Sequence, residues 1–334
     1  MKKPLIIINA LALVMLGLFL FTASTVQQAG NDDPEYREAF RRNYKMFAVD
    51  VPDKLDFAGE QVPVHQFHVR ESLDRELLVN SYWHSNTILL FKRAYRWFPV
   101  IRPILAENSI PEDFFFLCMI ESGLENVVSP AGAAGYWQFM KNTGISYGLE
   151  ITADIDERYH VEKATRAACK YLKAAYARFG NWTLAAASYN MGMEGLAGTI
   201  SSQRTSNYYD LMLNRETLRY VYRILAVKTI FKNPVHYGFY LRKKDLYPVI
   251  PVRSTSIDSS ITDVAAWCAS QKVSYRVFKE LNPWILKNSL PAKDGKSYEL
   301  LLPAEGWDRY HELLSPAAAD QQLFNDTLKV KDIR

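Results

Sequence analysis

Cysteine is scarce, with three in 334 residues: Cys118, Cys169 and Cys268. They show no C-x-x-C or comparable ligand spacing, which excludes a zinc ribbon, and an odd count excludes full pairing within the chain. Cys118 and Cys169 fall in apolar, helix-patterned stretches, where a free thiol serves as a small hydrophobe. We therefore read all three as structural. The six histidines form no ligand pattern either, so neither a metal nor a cofactor is expected. Glycine and proline, 15 of each, are too few for a collagen-like or low-complexity chain. Charge of one sign is also lacking. Lys and Arg number 40 against 36 Asp and Glu, a net +4, with no basic cluster and no zinc-finger or RNA-binding signature, so no nucleic-acid partner is expected. The mild positive balance is compatible with an acidic polymer as substrate. What is present is an ordinary folding composition, 49% hydrophobic and 23% charged, which excludes a disordered chain. At roughly 150 residues per domain, two domains are expected. Aromatic residues reach 13%, including 20 Tyr and 7 Trp, suited to core packing and to stacking on sugars or bases.

The one long apolar run is at the N-terminus. Met1-Lys2-Lys3 is basic, Leu5 to Phe21 is apolar apart from Asn9 and Gly17, and Thr22-Ala23-Ser24 are small. Residues 1–24 therefore read as an export segment, either a cleaved signal peptide or an uncleaved signal anchor. The second reading would attach the chain to a membrane. Residues 25–68 are polar and mixed, a linker and lead-in.

From residue 69 to about 240 the pattern is helical. Helices are expected over Val69–Phe98, from Pro99 to about Asn108, and from Phe114 after a capping box at Ser109-Ile110-Pro111-Glu112. A short helix is expected around Trp137 to Thr143. Another spans Val161–Phe179, with Gly180 as its C-cap. Further helices are expected over Trp182–Asn190, stopped near Gly192, and over Leu218–Phe231. Strand-like runs at 247–252 and 298–303 bracket two short helical pieces. Residues 247–303 thus form a small α+β unit, followed by a polar tail, 304–334. The expected class is mainly α, with a small α+β C-terminal module.

Glu121 is the residue that calls for explanation. On the helix from Phe114, positions 114, 117, 118 and 121 share a face by i, i+3, i+4, i+7 spacing, and the first three are apolar. A carboxylate ending an apolar stripe is desolvated, which raises its pKa and keeps a proton available for a leaving oxygen. The alternative is a solvent-facing Glu at a frayed helix end. Asp154, Asp156 and Glu157 are the nearest candidates for a second carboxylate, and read as solvated acids ahead of a helix.

Around Glu121 stands an ordered series. It comprises Glu121-Ser122-Gly123-Leu124, Ser129-Pro130-Ala131-Gly132-Ala133-Ala134-Gly135, Trp137-Gln138-Phe139-Met140, Asp156-Glu157-Arg158 and Ala187-Ser188-Tyr189-Asn190-Met191-Gly192. The series resembles the lytic transglycosylases of the soluble-lytic-transglycosylase type, and is most similar to the membrane-bound murein transglycosylase D group. The resemblance covers about residues 70–235. It implies a goose-lysozyme-like helical catalytic domain, exported to the periplasm or cell envelope, that cleaves peptidoglycan strands. It also implies Glu121 as the single catalytic acid/base and Ser129, Gln138, Met140, Tyr189 and Asn190 as substrate-contacting residues. Glu216 is added from a block similar to the family's E-T-R-x-Y-V. There Leu218 stands for the usual Arg and Tyr222 for the usual Pro, and a plain helix-dipole role for Glu216 stays open. A hydrolytic muramidase and a non-catalytic cell-wall glycan-binding protein are the alternatives.

The C-terminal unit is similar to LysM modules, which bind N-acetylglucosamine polymers. The similarity lies in Ile261-Thr262-Asp263-Val264, Phe278-Lys279-Glu280-Leu281-Asn282-Pro283 and Tyr298 to Pro303. Ser259-Ser260 replace the usual opening Gly-Asp. Glycan binding and a purely structural role both remain open, with Trp267 and Trp284 as its candidate stacking residues.

Overall fold

The computed structural model describes residues 45–292 and 295–314, together with Pro34, Glu38, Arg41 and Arg42. The expected export segment 1–24 and most of the expected tail lie outside these residues. Among the described residues no helix is long and apolar enough to cross a membrane. Residues 49 onward form one compact unit, described here.

It opens with a hairpin, β1 (Leu55–Phe57) and β2 (Glu60–Val62), paired antiparallel with Leu55 opposite Val62. Ala58 and Gly59, both at positive φ, make its tight turn. Eight helices follow: α1 (Phe67–Tyr82), α2 (His84–Glu107), α3 (Phe114–Ser122), α4 (Lys141–Ser146), α5 (Val161–Phe179), α6 (Trp182–Met191), α7 (Met193–Gln203) and α8 (Arg215–Lys232). The C-terminal module is β3 (Val252–Ile257), α9 (Val264–Ser270), α10 (Tyr275–Leu281) and β4 (Tyr298–Pro303). Its two strands pair antiparallel with Val252 opposite Pro303. The chain is mainly α with a small α+β module.

The last of these eight, α8, organises the helical part. It packs against α1, α3 and α6, and most of its side chains from Thr217 to Phe231 are buried. Its N-cap is Asn214, whose side-chain oxygen accepts from Glu216 N and Thr217 N, both at 3.0 Å. Lys228 is 2% exposed yet charged. Its Nζ reaches Asp113 Oδ2 at 2.5 Å and Asp56 Oδ1 at 3.1 Å, tying the hairpin and the start of α3 to α8.

Several expectations are corrected. The polar lead-in is packed from Val49 on, because Phe57, Val62 and Val64 enter the core. The break between the first two helices falls at Trp83 (φ −84°, ψ 58°), and α2 runs through Pro99 and Pro103. No capping box forms at 109–112. Ser109, at φ 55°, ends the turn after α2, and Glu112 instead pairs with Arg102 at 2.8 Å. Helix α4 starts at Lys141, later than expected, and α7 was not anticipated. The expected strand at 247–252 lies further on, at Val252–Ile257. By contrast α5 spans Val161–Phe179 as expected, closed by Gly180 at φ 75°. All three cysteines are free and buried.

Candidate active site

Helix α3 is short and almost wholly apolar, and carries Glu121 in its last turn. Gly123 (φ 64°) and Leu124 (φ 59°) take left-handed conformations that end the helix at Ser122. Ser122 then fastens this end. Its Oγ donates to the Tyr136 carbonyl at 2.8 Å and accepts from Leu124 N at 3.1 Å. Cys118 Sγ lies 3.3 Å from the same carbonyl. The end of α3 and the loop at 127–140 are thereby one piece.

The Glu121 side chain is met from across the molecule by α8. Tyr220, fully enclosed there, donates its hydroxyl to Glu121 Oε1. Burial pushes the Glu121 pKa from 4.5 up to about 7. The Tyr220 hydrogen bond and the Arg223 charge pull it down, while the Glu216 charge pushes it up. Position in the last turn of a helix, at the negative end of its dipole, acts in the same direction as burial. Glu121 is thus a carboxyl divided between its two forms near neutrality, with a neutral phenol as its hydrogen-bond partner.

Three other expected residues join this corner. Asn190, at the end of α6, donates from Nδ2 to Glu216 Oε1 at 3.1 Å and accepts from Thr217 Oγ1 at 2.6 Å. Asn190 and Glu216 therefore form one exposed unit at the start of α8, one turn from Tyr220. Tyr189 lies close enough for the Glu121 charge to raise its pKa, after the larger effect of burial. Its hydroxyl donates to the Trp137 carbonyl at 2.8 Å, and its ring lies edge-on to Tyr171 at 5.0 Å. Tyr189 is a wall of the site that fixes the loop.

Ser129, Gln138 and Met140 stay on the loop. Ser129 closes its turn by accepting from Ala133 N at 3.0 Å. Gln138, strained at φ 48°, donates from Nε2 to the carbonyls of Gly135 (2.8 Å) and Val127 (3.0 Å). Met140 is 46% exposed at the N-cap of α4. Trp137 is fully buried and donates to Thr165 Oγ1 at 2.9 Å, so it belongs to the core.

The acids at 156–157 are not solvated, as expected, but buried. Asp156 and Arg158 form a two-point ion pair, with Nη2 to Oδ2 at 2.6 Å and Nε to Oδ1 at 2.9 Å. Arg158 Nη1 also donates to the carbonyls of Gly132 (3.0 Å) and Phe139 (3.1 Å), holding both sides of the loop. Gly135 (φ 78°) packs directly on the Arg158 carbonyl, where a Cβ would overlap it. That contact dictates glycine there. Glu157 accepts from Lys163 at 2.5 Å and from Glu150 N at 2.7 Å.

The C-terminal module is joined to this arm. Asp156 N donates to Trp284 O at 2.9 Å, and Leu286 N to Asp154 O at 2.8 Å. Glu150 receives Lys296 and the Tyr298 hydroxyl. Trp284 is 1% exposed, stacked on Tyr298 and under Lys163, so it is no open sugar platform. Trp267 is partly buried, edge-on to Phe278.

Tyr220, Arg223 and the Arg158 clamp carry roles that the sequence reading did not assign. Tyr220 and Arg223 lie one turn apart on the α8 face that begins with Glu216, a spacing that places them beside one another but does not encode the contact with Glu121. Among the described residues no group of three or more His, Cys, Asp or Glu is placed to hold a metal.

The chain is similar to known proteins. Over 272 residues, 79% of this chain, the sequence is 28% identical to the membrane-bound lytic murein transglycosylase D of Escherichia coli K12. The same identity and coverage hold for the protein of that name in Escherichia coli strain CFT073. The chain spans 58% of the length of these curated relatives. Residues 99–212, which include Glu121, the loop and the Tyr189–Asn190 pair, match the transglycosylase SLT domain, and residues 253–306 match the soluble lytic transglycosylase C-terminal LysM-like domain. The chain thus carries an SLT transglycosylase domain followed by a LysM-like C-terminal domain.

Proposed function

We propose that this chain is a peptidoglycan lytic transglycosylase of the cell envelope, cleaving the β-1,4 bond between N-acetylmuramic acid and N-acetylglucosamine with Glu121 as its single acid/base. The observation that carries the reading is the state of Glu121, a carboxyl near pKa 7 bonded to a phenol rather than to a cation. The SLT match and the names of the relatives support the same activity.

Protonated Glu121 gives its proton to the glycosidic oxygen as the bond from that oxygen to the muramic C1 breaks. The acetamido oxygen of the same sugar closes on C1 and carries the positive charge, so no second protein carboxylate is needed at this step. Glu121, now ionised, takes the proton of the C6 hydroxyl while that oxygen attacks C1 and displaces the acetamido oxygen. The product is a 1,6-anhydro ring, and Glu121 is protonated again. The Tyr220 hydroxyl stabilises the ionised intermediate state of Glu121, and burial restores its affinity for the proton. The Asn190–Glu216 unit, with Ser129, Gln138 and Met140 on the facing loop, holds the strand in register for this sequence.

Replacing Glu121 by Gln removes the transferable proton and keeps the shape. Cleavage of purified sacculi is expected to fall by at least about 10³-fold, within the range of general acid–base contributions, with glycan binding retained. Turbidity loss at a near wild-type rate in the Glu121→Gln chain would remove Glu121 from this role.

A further inference from the structure

Beside the catalytic corner lies a second cavity of about 470 Å³, which none of the expected site residues lines. It sits between the end of α1, the start of α2, the end of α3 and the middle of α8. Trp83, Asn86, Arg93, Arg219 and Arg223 line it, with the α3 terminus at Ile120 and Gly123 as its floor. Arg223 joins the two sites. Its Nη2 donates to Ile120 O at 3.2 Å, the residue before Glu121, and it lies one turn along α8 from Tyr220.

The charge in this cavity is unbalanced. Glu76, 2% exposed, receives both Arg75 and Arg219, each at 2.7 Å. Arg93 is paired with Glu125 at 2.7 Å. Three guanidinium groups, Arg93, Arg219 and Arg223, thus line the cavity against two carboxylates, Glu76 and Glu125. Arg223 is the one of the three with no carboxylate in ion-pair contact among the described residues. Its single hydrogen bond to Ile120 leaves other N–H donors of its fork for an incoming group. On the rim, Trp83 is 59% exposed, a large flat surface next to the cationic interior. A planar guanidinium fork with an aromatic rim is suited to a carboxylate on a larger, partly apolar ligand.

We propose that this cavity binds a carboxylate carried by the muramic substituent of the glycan strand, Arg223 receiving the carboxylate and Trp83 covering the adjoining part of the substituent. The proposal rests on the strand being the substrate of Glu121. One source is the acidic peptide stem, and the other is the bare lactyl carboxylate left when the stem is removed. Engagement here fixes the strand one helical turn from the acid, so the enzyme distinguishes strands by what their muramic residues bear.

The test uses binding as well as turnover, so that it stands apart from the activity itself. Soluble strands are prepared in three forms: stem-bearing, stripped of stems by an amidase, and stem-bearing with carboxyls capped as amides. Dissociation constants are measured calorimetrically with the full chain carrying Glu121→Gln, alone and with Arg223→Gln, Arg223→Lys or Trp83→Ala, each checked for fold by circular dichroism. Capping is expected to weaken binding about tenfold in the Glu121→Gln chain, with Arg223→Gln removing that difference and Arg223→Lys restoring part of it. Trp83→Ala is expected to weaken both charged forms. Tighter binding of stem-bearing than of stripped strands assigns the stem, and tighter binding of stripped strands assigns the lactyl group. Equal affinity for capped and uncapped strands, or an unchanged ratio in Arg223→Gln, overturns the proposal. A wild-type chain that binds the strands as expected but never cleaves them overturns the reading of Glu121 instead.

Discussion

Two carboxylates in this molecule invite comparison, the partly buried Glu121 at the end of α3 and the buried Asp156 in the arm before α5. Both sit in motif blocks. They differ in their partners. Asp156 faces the Arg158 guanidinium at two points, and that same guanidinium spends its remaining bonds on the loop carbonyls of Gly132 and Phe139. Glu121 faces a phenol, and among the described residues the Arg223 charge acts on it without an ion-pair contact. A charge-matched pair serves as a clamp. A carboxyl with a neutral partner in a desolvated corner passes a proton in either direction near neutral pH. Burial alone does not mark a catalytic acid, whereas the identity of its partner does.

The comparison breaks most directly at the clamp. Arg158→Ala leaves a buried Asp156 without its counter-charge and frees two loop carbonyls. It is expected to destabilise the fold by about 3–5 kcal/mol, read by urea denaturation, and to lower cleavage through the loosened loop. A loss within about 0.5 kcal/mol, the range of ordinary surface changes, would mean that the pair is not a clamp.

Glu121→Gln is expected to do the opposite. Glu121 titrates near 7 in the folded chain and near 4.5 when exposed, so between these values the folded state keeps a proton that the unfolded state has released. The stability contributed by this group is full below about pH 4.5 and is lost as pH rises to about 7. The Gln variant is therefore expected to melt several degrees above wild type at pH 8, the gap closing towards pH 4. A variant that melts lower at pH 8 would show that the folded state favours the Glu121 carboxylate instead.

Tyr220→Phe sharpens the same contrast at smaller amplitude. Losing the hydroxyl removes the hydrogen bond that favours the ionised form, so the Glu121 pKa rises further. The alkaline limb of kcat/KM is expected to move up by about one pH unit, a typical size for one such bond. An unmoved limb would detach Tyr220 from the proton.

Much of this was legible before any coordinates. Helix α5 was readable because an amphipathic pattern and a terminal glycine agree at both levels, and Glu121 was readable because it ends an apolar stripe. The bridging of α2 across Pro99 and Pro103 was not, since proline argues locally for a break while packing of Phe98, Ile101 and Ile104 holds the helix together. Helix α7 was hidden by Gly195 and Gly198. Tyr220 meets Glu121 across 99 positions, a contact that no local spacing encodes. The burial of Asp156 was equally invisible, because two residues of spacing in an irregular segment say nothing about which side faces the core. The module was read as separate, and its union with the arm through Trp284 and Glu150 depends on contacts more than 100 residues apart in the chain.

The most direct test of a single acid/base is the origin of the oxygen at the new chain end. Sacculi digested by the purified chain in ¹⁸O-labelled water should yield 1,6-anhydro-muramic ends without label, because the C6 oxygen of the sugar closes the ring. Reducing muramic ends carrying ¹⁸O would show that water is the nucleophile, and would contradict the account.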